Sequence, residues 1–276
     1  MLCQRILSIQ DISCVGQCSL TVALPVISAC GVETSILPSS VLSTHTGGFT
    51  GFTVRDLSGD MPAINAHWVK EGITFGAIYT GYLGSSEQID YVKRIFDTTL
   101  VPGGLRIVDP AMADHGRLYS TFDMAYASSM KRLCAAADII LPNITEACLL
   151  TDTPYREAYD ADYIDGMTAQ LLAMGPHTVI LTGVSYTPDT TGVVVRTAAE
   201  NRYYQHRRLP ENLHGTGDVF AASFVGALVN DHLPFEAAAI AASFTLACME
   251  YTLPDPTHRY GVKFEPLLGE LIRMVR

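Results

Sequence analysis

Short apolar runs alternate with longer amphipathic segments along most of this chain, and this alternation restricts the fold more than any other feature. The short runs predict β-strands at residues 5–9, 33–37, 77–80, 106–108, 139–141 and 178–182. The intervening segments predict helices at residues 19–29, 63–71, 86–97, 122–134, 145–150 and 162–174. Such alternation predicts an α/β fold of three layers, in which a doubly wound, mainly parallel sheet is flanked by helices on both faces.

The pattern changes after residue 190. Residues 192–196 and 202–207 flank a polar segment and predict an antiparallel hairpin. Residues 215–231, 234–251 and 264–274 predict three further helices, and residues 187–191 predict a mobile loop. Because the chain shows no internal repeat and no long linker, we expect residues 1–276 to form a single domain.

Composition and charge argue against several classes of protein. The chain of 276 residues has a formal net charge of −10 and no block of lysine or arginine, so a nucleic-acid-binding surface is not expected. Its seven cysteines lack the spacing of a zinc site and predict free thiols in a reducing compartment. No apolar run reaches the roughly 20 residues that a membrane-spanning helix needs, and we see no signal sequence, so we expect a cytoplasmic protein.

The sequence Gly215-Thr216-Gly217-Asp218 leads directly into an apolar, alanine-rich run and predicts a tight turn that opens a buried helix. Backbone N–H groups at the start of a helix lack intrahelical partners and lie at the positive end of the helix dipole, so they can bind an anion. A carboxylate in that turn repels the anion, but it can accept a proton from an attacking hydroxyl. An aspartate that only complements the helix dipole is the alternative interpretation.

Polar residues follow several of the predicted strands, and the carboxyl ends of parallel strands meet at one edge of a sheet. These candidates are Asp11, His45, Thr46, Tyr82, Asp109, Asn143, Glu146 and Thr182. Beside an anion-binding turn they suit phosphoryl transfer, which needs positioning, a bridging cation and a base. Asp109 and Glu146 could hold Mg²⁺, partly through water. Purely structural roles stay open for Asp109, Asn143, Tyr82 and His45.

Two common nucleotide-binding motifs do not occur in the sequence. The pattern Gly-x-x-x-x-Gly-Lys-Ser/Thr is missing, so a Walker P-loop is not expected. The turn after the first strand reads Asp-Ile-Ser-Cys-Val-Gly in place of Gly-x-Gly-x-x-Gly, which argues against a dinucleotide-dependent oxidoreductase.

Together these residues resemble the ribokinase-like superfamily and, within it, the pyridoxal kinases of vitamin B6 salvage. Residues 6–10 resemble the opening strand of that family, His45-Thr46-Gly47 its substrate loop, and Thr80-Gly81-Tyr82-Leu83-Gly84-Ser85 the next loop. Val108-Asp109-Pro110-Ala111-Met112 is similar to its Asp-Pro stretch, and Pro142-Asn143-Ile144-Thr145-Glu146 to its Asn-x-x-Glu motif. The Gly215-Thr216-Gly217-Asp218 signature marks the superfamily alone, whereas the two loops and the Asp-Pro stretch favour B6-type substrates.

The resemblance implies an ATP-dependent kinase that phosphorylates the 5′-hydroxymethyl group of a B6 vitamer, namely pyridoxal, pyridoxine or pyridoxamine. It implies that Asp218 is the base and that the amides of Gly215, Thr216 and Gly217 form the anion hole. The residues implied to bind Mg²⁺–ATP are Asp109, Asn143, Glu146 and Thr182. Of these, Asp109 and Glu146 are implied to hold the metal ion. The implied substrate side comprises Asp11, His45, Thr46, Gly47 and Tyr82. A monovalent cation, usually potassium, and a homodimer are further implications.

One departure from the resemblance bears on the choice of substrate: Asp11 stands where pyridoxal kinases usually carry serine. A carboxylate near the pyridine ring favours a cationic partner, so we expect Asp11 to bias the enzyme towards pyridoxamine over pyridoxal.

Three alternatives stay open from the sequence. A hydroxymethylpyrimidine kinase of thiamine synthesis would use the same fold, although those kinases usually have cysteine where Asp218 stands. A sugar or nucleoside kinase is a more distant enzyme. A regulator that binds a vitamer or nucleotide without catalysis is the alternative from another class, and such a protein needs no base beside its anion site.

Overall fold

A nine-stranded sheet forms the middle layer of the protein, which a computed structural model describes at residues 5–210 and 213–276. The strands, in chain order, are β1 (Arg5–Ser13), β2 (Glu33–Leu42), β3 (Val54–Asp56), β4 (Phe75–Thr80), β5 (Leu100–Val108), β6 (Ala113–Asp114), β7 (Arg117–Leu118), β8 (Ile139–Ile140), β9 (Thr178–Thr187), β10 (Thr190–Thr197) and β11 (Asn201–Arg207). The sheet has the order β11-β10-β9-β8-β5-β4-β1-β2-β3, while β6 and β7 form a separate small hairpin. The six strands from β9 to β2 in this order run parallel, and β3, β10 and β11 pair antiparallel.

Helices cover both faces of the sheet. They are α1 (Leu20–Ala29), α2 (Met61–Lys70), α3 (Ser86–Thr99), α4 (Met124–Ala135), α5 (Ile144–Thr151), α6 (Ala161–Ala173), α7 (Thr216–Leu228), α8 (Pro234–Thr252) and α9 (Leu268–Val275), with a 3₁₀ turn at Glu265–Leu267 before α9. Alternate side chains of a strand point to opposite faces, so Ile6 packs with α1, α7 and α8, whereas Leu7 packs with α3 and α4. This arrangement confirms the predicted three-layer, doubly wound fold.

The antiparallel hairpin predicted at residues 192–196 and 202–207 is confirmed by the pairing of β10 with β11. The mobile loop predicted at residues 187–191 is wrong. Thr187 ends β9 and Thr190 begins β10, and these two residues are paired across a two-residue turn. The side chains of β9 become exposed towards this turn, so the stretch has the composition of a loop although its backbone is paired.

The first strand is also longer than the sequence predicts. Polar residues from Gln10 onward continue β1 to Ser13, because β2 continues alongside to Leu42. Asp11 therefore lies inside the strand, at the irregularity in register between Gln10 and Ile12, and not beyond the strand's end.

Two further predictions concern chemistry outside the site. The six cysteines in the described part of the chain are free thiols, and Cys3 lies outside the described residues. Across residues 5–210 and 213–276, no helix combines the length and apolarity required to cross a bilayer.

Candidate active site

The turn that precedes α7 lies at the amino terminus of that buried helix. Gly215 is its N-cap residue with φ of 77°, and Val219 is bonded back to the carbonyl oxygen of Gly215 at 3.0 Å. The N–H groups of Thr216 and Gly217 therefore precede the hydrogen-bond ladder of the helix and can bind an anion. Asp218, on the first turn, is half-buried.

Gly215 is required by a close approach as well as by its backbone conformation. A Cβ atom at this position would lie 2.0 Å from the carbonyl oxygen of Gln17, and a φ of 77° is rarely adopted by other residues. The loop of residues 14–19, which we call the 14–19 loop, thus packs directly against the predicted catalytic turn.

Asn143 and Glu146 form a capping box at the start of α5. The backbone N–H of Glu146 donates to Asn143 Oδ1 at 2.9 Å, and the backbone N–H of Asn143 donates to Glu146 Oε2 at 2.9 Å. Glu146 Oε1 accepts from the backbone N–H of Met112 at 3.0 Å, and Asn143 Nδ2 donates to the carbonyl oxygen of Ala113 at 2.8 Å. Asn143 therefore has the structural role that the sequence left open: it caps α5 and attaches the segment after β5 to that helix.

A cavity of about 900 Å³ lies along the carboxyl edge of the sheet. Eight predicted site residues line it, which are Asp109, Asn143, Glu146, Thr182, Gly215, Thr216, Gly217 and Asp218. Thr182 lies beside Asn143 through an isolated parallel bridge, and its N–H donates to the carbonyl oxygen of Pro142 at 2.9 Å. The volume lies in the range of sites for small molecules and cofactors. The predicted catalytic and nucleotide residues thus share one cavity.

Three carboxyl groups of this cavity carry raised pKa values. Burial is the largest cause for each of them. Repulsion by Glu146 and Asp218 adds to the rise at Asp109, and repulsion by Asp11 adds to the rise at Asp218, whose pKa reaches about 7. The three backbone N–H groups of Asn143, Met112 and Ala113 oppose the rise at Glu146. A cation placed between Asp109 and Glu146 would favour the ionised form of both.

The predicted metal residues offer only part of a coordination shell. Both carboxylate oxygens of Glu146 accept backbone N–H groups, so its contact with a metal ion would run through water. Within the described ranges, no group of three or more His, Cys, Asp or Glu side chains is arranged to hold a metal ion by itself. This arrangement fits Mg²⁺, which keeps several waters and usually takes one or two carboxylates together with substrate phosphates.

The predicted substrate residues lie beside the cavity and are not among those that line it. His45 is 5% exposed, and its Nδ1 accepts the backbone N–H of Gly47 at 3.2 Å. We therefore assign the proton to Nε2, which is buried and has no hydrogen-bond partner among the described residues. Burial and the neighbouring His214 lower the pKa of His45, so the ring is neutral and offers one unused N–H donor.

His214 joins the substrate side to the cavity. Its ring lies 5.4 Å from the ring of His45 and also lines the cavity. A Cβ atom on Gly47 would lie 2.6 Å from the His214 ring, which explains why the predicted substrate loop has glycine there. Thr46, between them, is exposed.

Tyr82 and Asp11 complete the predicted substrate side. The Tyr82 ring packs against Phe122 at 5.3 Å, and Tyr82 is half-buried. Asp11 is 5% exposed, accepts a hydrogen bond from Ser13 Oγ at 3.1 Å, and acts electrostatically on Asp218. Asp218 therefore lines the cavity and also interacts electrostatically with Asp11 of the predicted substrate side.

Sequence reasoning missed several residues that contact the predicted site. Tyr79 is fully buried on β4, and its hydroxyl has no hydrogen-bond partner in the described part of the chain. Burial raises the pKa of this hydroxyl, and the charges of Asp109 and Asp218 add to the rise. His214 stands directly before the conspicuous glycine turn, which was a local signal for it. Gln17 gave no such signal, because its contact with Gly215 joins distant parts of the chain.

Comparison of the sequence with known proteins identifies a matching family model and a related kinase. The family model described as phosphomethylpyrimidine kinase matches residues 24–262. A pyridoxine/pyridoxal/pyridoxamine kinase from Bordetella avium (strain 197N) is 30% identical over 239 residues, which cover 81% of this chain and 77% of that protein.

Solved structures share the fold over nearly the whole chain. A protein from Bacteroides thetaiotaomicron VPI-5482, designated a phosphomethylpyrimidine kinase and crystallised with pyridoxal, is 36% identical with a TM-score of 0.91, covering 98% of this chain and 96% of that one. The pyridoxal kinase from Leishmania donovani, in complex with ADP and pyridoxamine, is 19% identical with a TM-score of 0.82, covering 97% and 95%, and shows the fold alone. The chain therefore belongs to the ribokinase-like family of pyridoxal and phosphomethylpyrimidine kinases.

Proposed function

We propose that this kinase transfers the γ-phosphoryl group of ATP to the 5′-hydroxymethyl group of a B6 vitamer, in the salvage of vitamin B6 to pyridoxal 5′-phosphate. The observation that carries the proposal is the position of Asp218. It stands on the first turn of α7, lines the cavity that holds the predicted nucleotide residues, and interacts with Asp11 on the other side. A base between a nucleotide cavity and an acceptor site is what transfer to a hydroxyl requires.

In the proposed reaction, Asp218 accepts the proton of the acceptor's hydroxyl as the new O–P bond forms and the bond to the ADP leaving group breaks. The N–H groups of Gly215, Thr216 and Gly217 stabilise the negative charge on the phosphoryl oxygens. A pKa of about 7 suits this role, because a base is most effective when its pKa lies near the working pH. When bound, Mg²⁺ would neutralise negative charge on the phosphates.

The other predicted residues have separate roles in this proposal. Thr182 and Asn143 border the cavity where ATP would bind, and Asp109, with Glu146 through water, would face the metal ion. His45 would donate its unused Nε2 proton to a polar atom of the pyridine ring or its substituents. The aromatic face of Tyr82 would contact the ring itself.

Relatives support a B6 vitamer as the acceptor. The Bordetella avium protein is named for all three vitamers, and the Bacteroides thetaiotaomicron structure contains pyridoxal. The family model's own description favours a second candidate, a hydroxymethylpyrimidine kinase. Asp218 argues against that candidate, because cysteine is usual at this position in such kinases.

Purified protein with Mg²⁺–ATP decides between these candidates. We expect a phosphorylated product from at least one of pyridoxal, pyridoxine and pyridoxamine, identified by chromatography against the authentic phosphate. Phosphorylation of hydroxymethylpyrimidine alone would replace the proposal by the second candidate. Binding of vitamer or ATP without any product would identify a non-catalytic regulator. The single domain, homodimer, potassium ion and cytoplasmic location stay predictions, which size-exclusion chromatography, ion replacement and cell fractionation can test.

A further inference from the structure

The segment between β2 and β3, residues 43–53, carries three of the predicted substrate residues, and we call it the 43–53 loop. It contains no strand or helix. Its two ends are tied together, because the backbone N–H of Ser43 donates to the carbonyl oxygen of Thr53 at 3.0 Å and the N–H of Thr53 donates to Ser43 Oγ at 2.9 Å. These bonds close the base of the loop, so the position of its tip depends on other contacts.

The imidazole ring of His214 packs against the tip of the 43–53 loop. A Cβ atom on Gly47 would lie 2.6 Å from both Cε1 and Nδ1 of this ring, and one on Gly48 would lie 3.8 Å from its Nε2. Gly48 has a φ of 76°, whereas the φ of Gly47 is not positive. Glycine at position 47 is therefore required for space and not for its backbone conformation, since the His214 ring occupies the volume that a side chain would fill.

The same histidine belongs to the predicted catalytic turn. It directly precedes Gly215, the N-cap residue of α7, and it lines the cavity. Its ring centre lies 5.4 Å from that of His45, which in turn meets the ring of Phe49 edge-on at 5.1 Å. One side chain thus connects the loop that carries the predicted acceptor contacts with the turn that carries the predicted anion hole and base.

We propose that His214 is a positioning residue, whose ring holds the tip of the 43–53 loop at a fixed distance from the catalytic turn, so that a hydroxyl bound by this loop lies within reach of Asp218. The inference rests on the proposed function and adds the group that joins the acceptor side to the phosphoryl side. The ring acts through its volume and shape, because reaction rates fall steeply when reacting groups are displaced by about 1 Å.

His214→Ala and Gly47→Ala interrupt this contact from its two sides. The first removes the ring, and the second places a methyl group where the ring lies and displaces it. We expect each variant to lower kcat/KM for the preferred vitamer by about 10–100-fold, the cost of a small misplacement, while the KM for ATP does not change. Gly59→Ala is the matched control and should behave as wild type, because its φ is not positive and its Cβ would meet no atom within 4 Å.

The double variant separates positioning from two unrelated defects. The methyl group introduced by Gly47→Ala meets the His214 ring, so it should do no further harm once that ring is absent. The double variant should therefore match His214→Ala in kcat/KM. A loss equal to the product of the two single losses would overturn the proposal, and so would wild-type kcat/KM in His214→Ala. A raised KM for ATP with an unchanged KM for the vitamer would make His214 a nucleotide contact and overturn it as well.

Limited proteolysis tests the contact without any substrate. Chymotrypsin cleaves after Phe49 and Phe52 of the 43–53 loop, and a loop released from its packing is cut faster. We expect cleavage at these sites, mapped by mass spectrometry, to be about tenfold faster in His214→Ala than in wild type or Gly59→Ala. Equal rates would overturn the proposal, because the ring would then not hold the loop.

Failure of the proposed function has a different signature. Wild-type protein would then phosphorylate none of the three vitamers, whereas an active wild type with unaffected His214→Ala overturns this inference alone. If hydroxymethylpyrimidine is the acceptor, the same variants are measured with it. Inactivity of the wild type towards every acceptor overturns both proposals.

Discussion

Replacing Asp218 with asparagine should impair catalysis and stabilise the fold at the same time. The variant keeps the size of the side chain and one oxygen, but it cannot accept the hydroxyl proton. We expect kcat to fall by about 10²–10⁴-fold, the usual contribution of a general base. The KM for ATP should stay near its wild-type value, because the cavity walls are unchanged.

The gain in stability follows from the raised pKa of Asp218. Its ordinary value is 3.8, and in the folded protein it is about 7. Between pH 4 and 7 the folded state therefore holds a proton that the unfolded state has lost, so this group makes stability fall as pH rises through that window. The full shift corresponds to roughly 4 kcal/mol at 1.36 kcal/mol per pKa unit. Because Asp218 is half-buried, water in the cleft screens part of this effect, and we expect about 2 kcal/mol.

Two assays test this prediction on the same preparation. Product formation with Mg²⁺–ATP gives kcat, and urea denaturation at pH 5.5 and pH 8 without ligands gives the free energy of unfolding. The advantage of Asp218→Asn over wild type should be larger at pH 8 than at pH 5.5. A kcat within tenfold of wild type would refute the role of Asp218 as base, and equal stabilities at pH 8 would refute the raised pKa.

Three further predictions concern the turn, the cap and the acceptor side. Gly215→Ala should destabilise the protein by about 1–3 kcal/mol, because φ is 77° and the new Cβ would meet Gln17. Gly217→Ala, whose Cβ would meet open space, is the control. Equal urea midpoints for the two variants would contradict the steric argument. Asn143→Ala should cost about 1–2 kcal/mol of stability through the lost cap and raise the KM for ATP; unchanged values of both would show that the cap does not shape the cavity. Asp11→Ser should lower the ratio of kcat/KM for pyridoxamine to that for pyridoxal, and an unchanged ratio would exclude Asp11 as a specificity residue.

Most of the fold was predictable because its longer elements carry their own periodic signals, whereas the short strands β3, β6 and β7 were not predicted. Errors occurred where pairing overrides local composition. Residues 185–187 are polar or exposed, yet they belong to β9, whose last residue, Thr187, pairs with Thr190 of β10. Gln10 and Asp11 are polar, yet they continue β1 because β2 runs alongside. The type of side chain alone does not show which backbone groups are hydrogen-bonded to a neighbouring strand.

The cavity side of the site was predictable because parallel strands bring their carboxyl ends together. Asp109 and Asn143 follow two such strands, Thr182 lies within a third, and all three line one cavity with Asp218. The strained backbone of Ser19, with a φ of 52°, could not be predicted, since no local pattern encodes it. The unused Nε2 donor of a buried histidine likewise becomes visible only when all its neighbours are known.

Gln17 also connects the catalytic turn to a segment much later in the chain. Its backbone N–H donates to the carbonyl oxygen of Tyr260 at 2.8 Å, and its side chain hydrogen-bonds to His258 and Glu265, the latter 248 residues away. Loop closure over such a separation slows folding, and synthesis proceeds at about 5–20 residues per second. A nascent chain that has not yet reached residue 258 therefore lacks the contacts that brace Gln17 against Gly215. Catalytic competence should accordingly appear late in biosynthesis, after the sheet strands have been made.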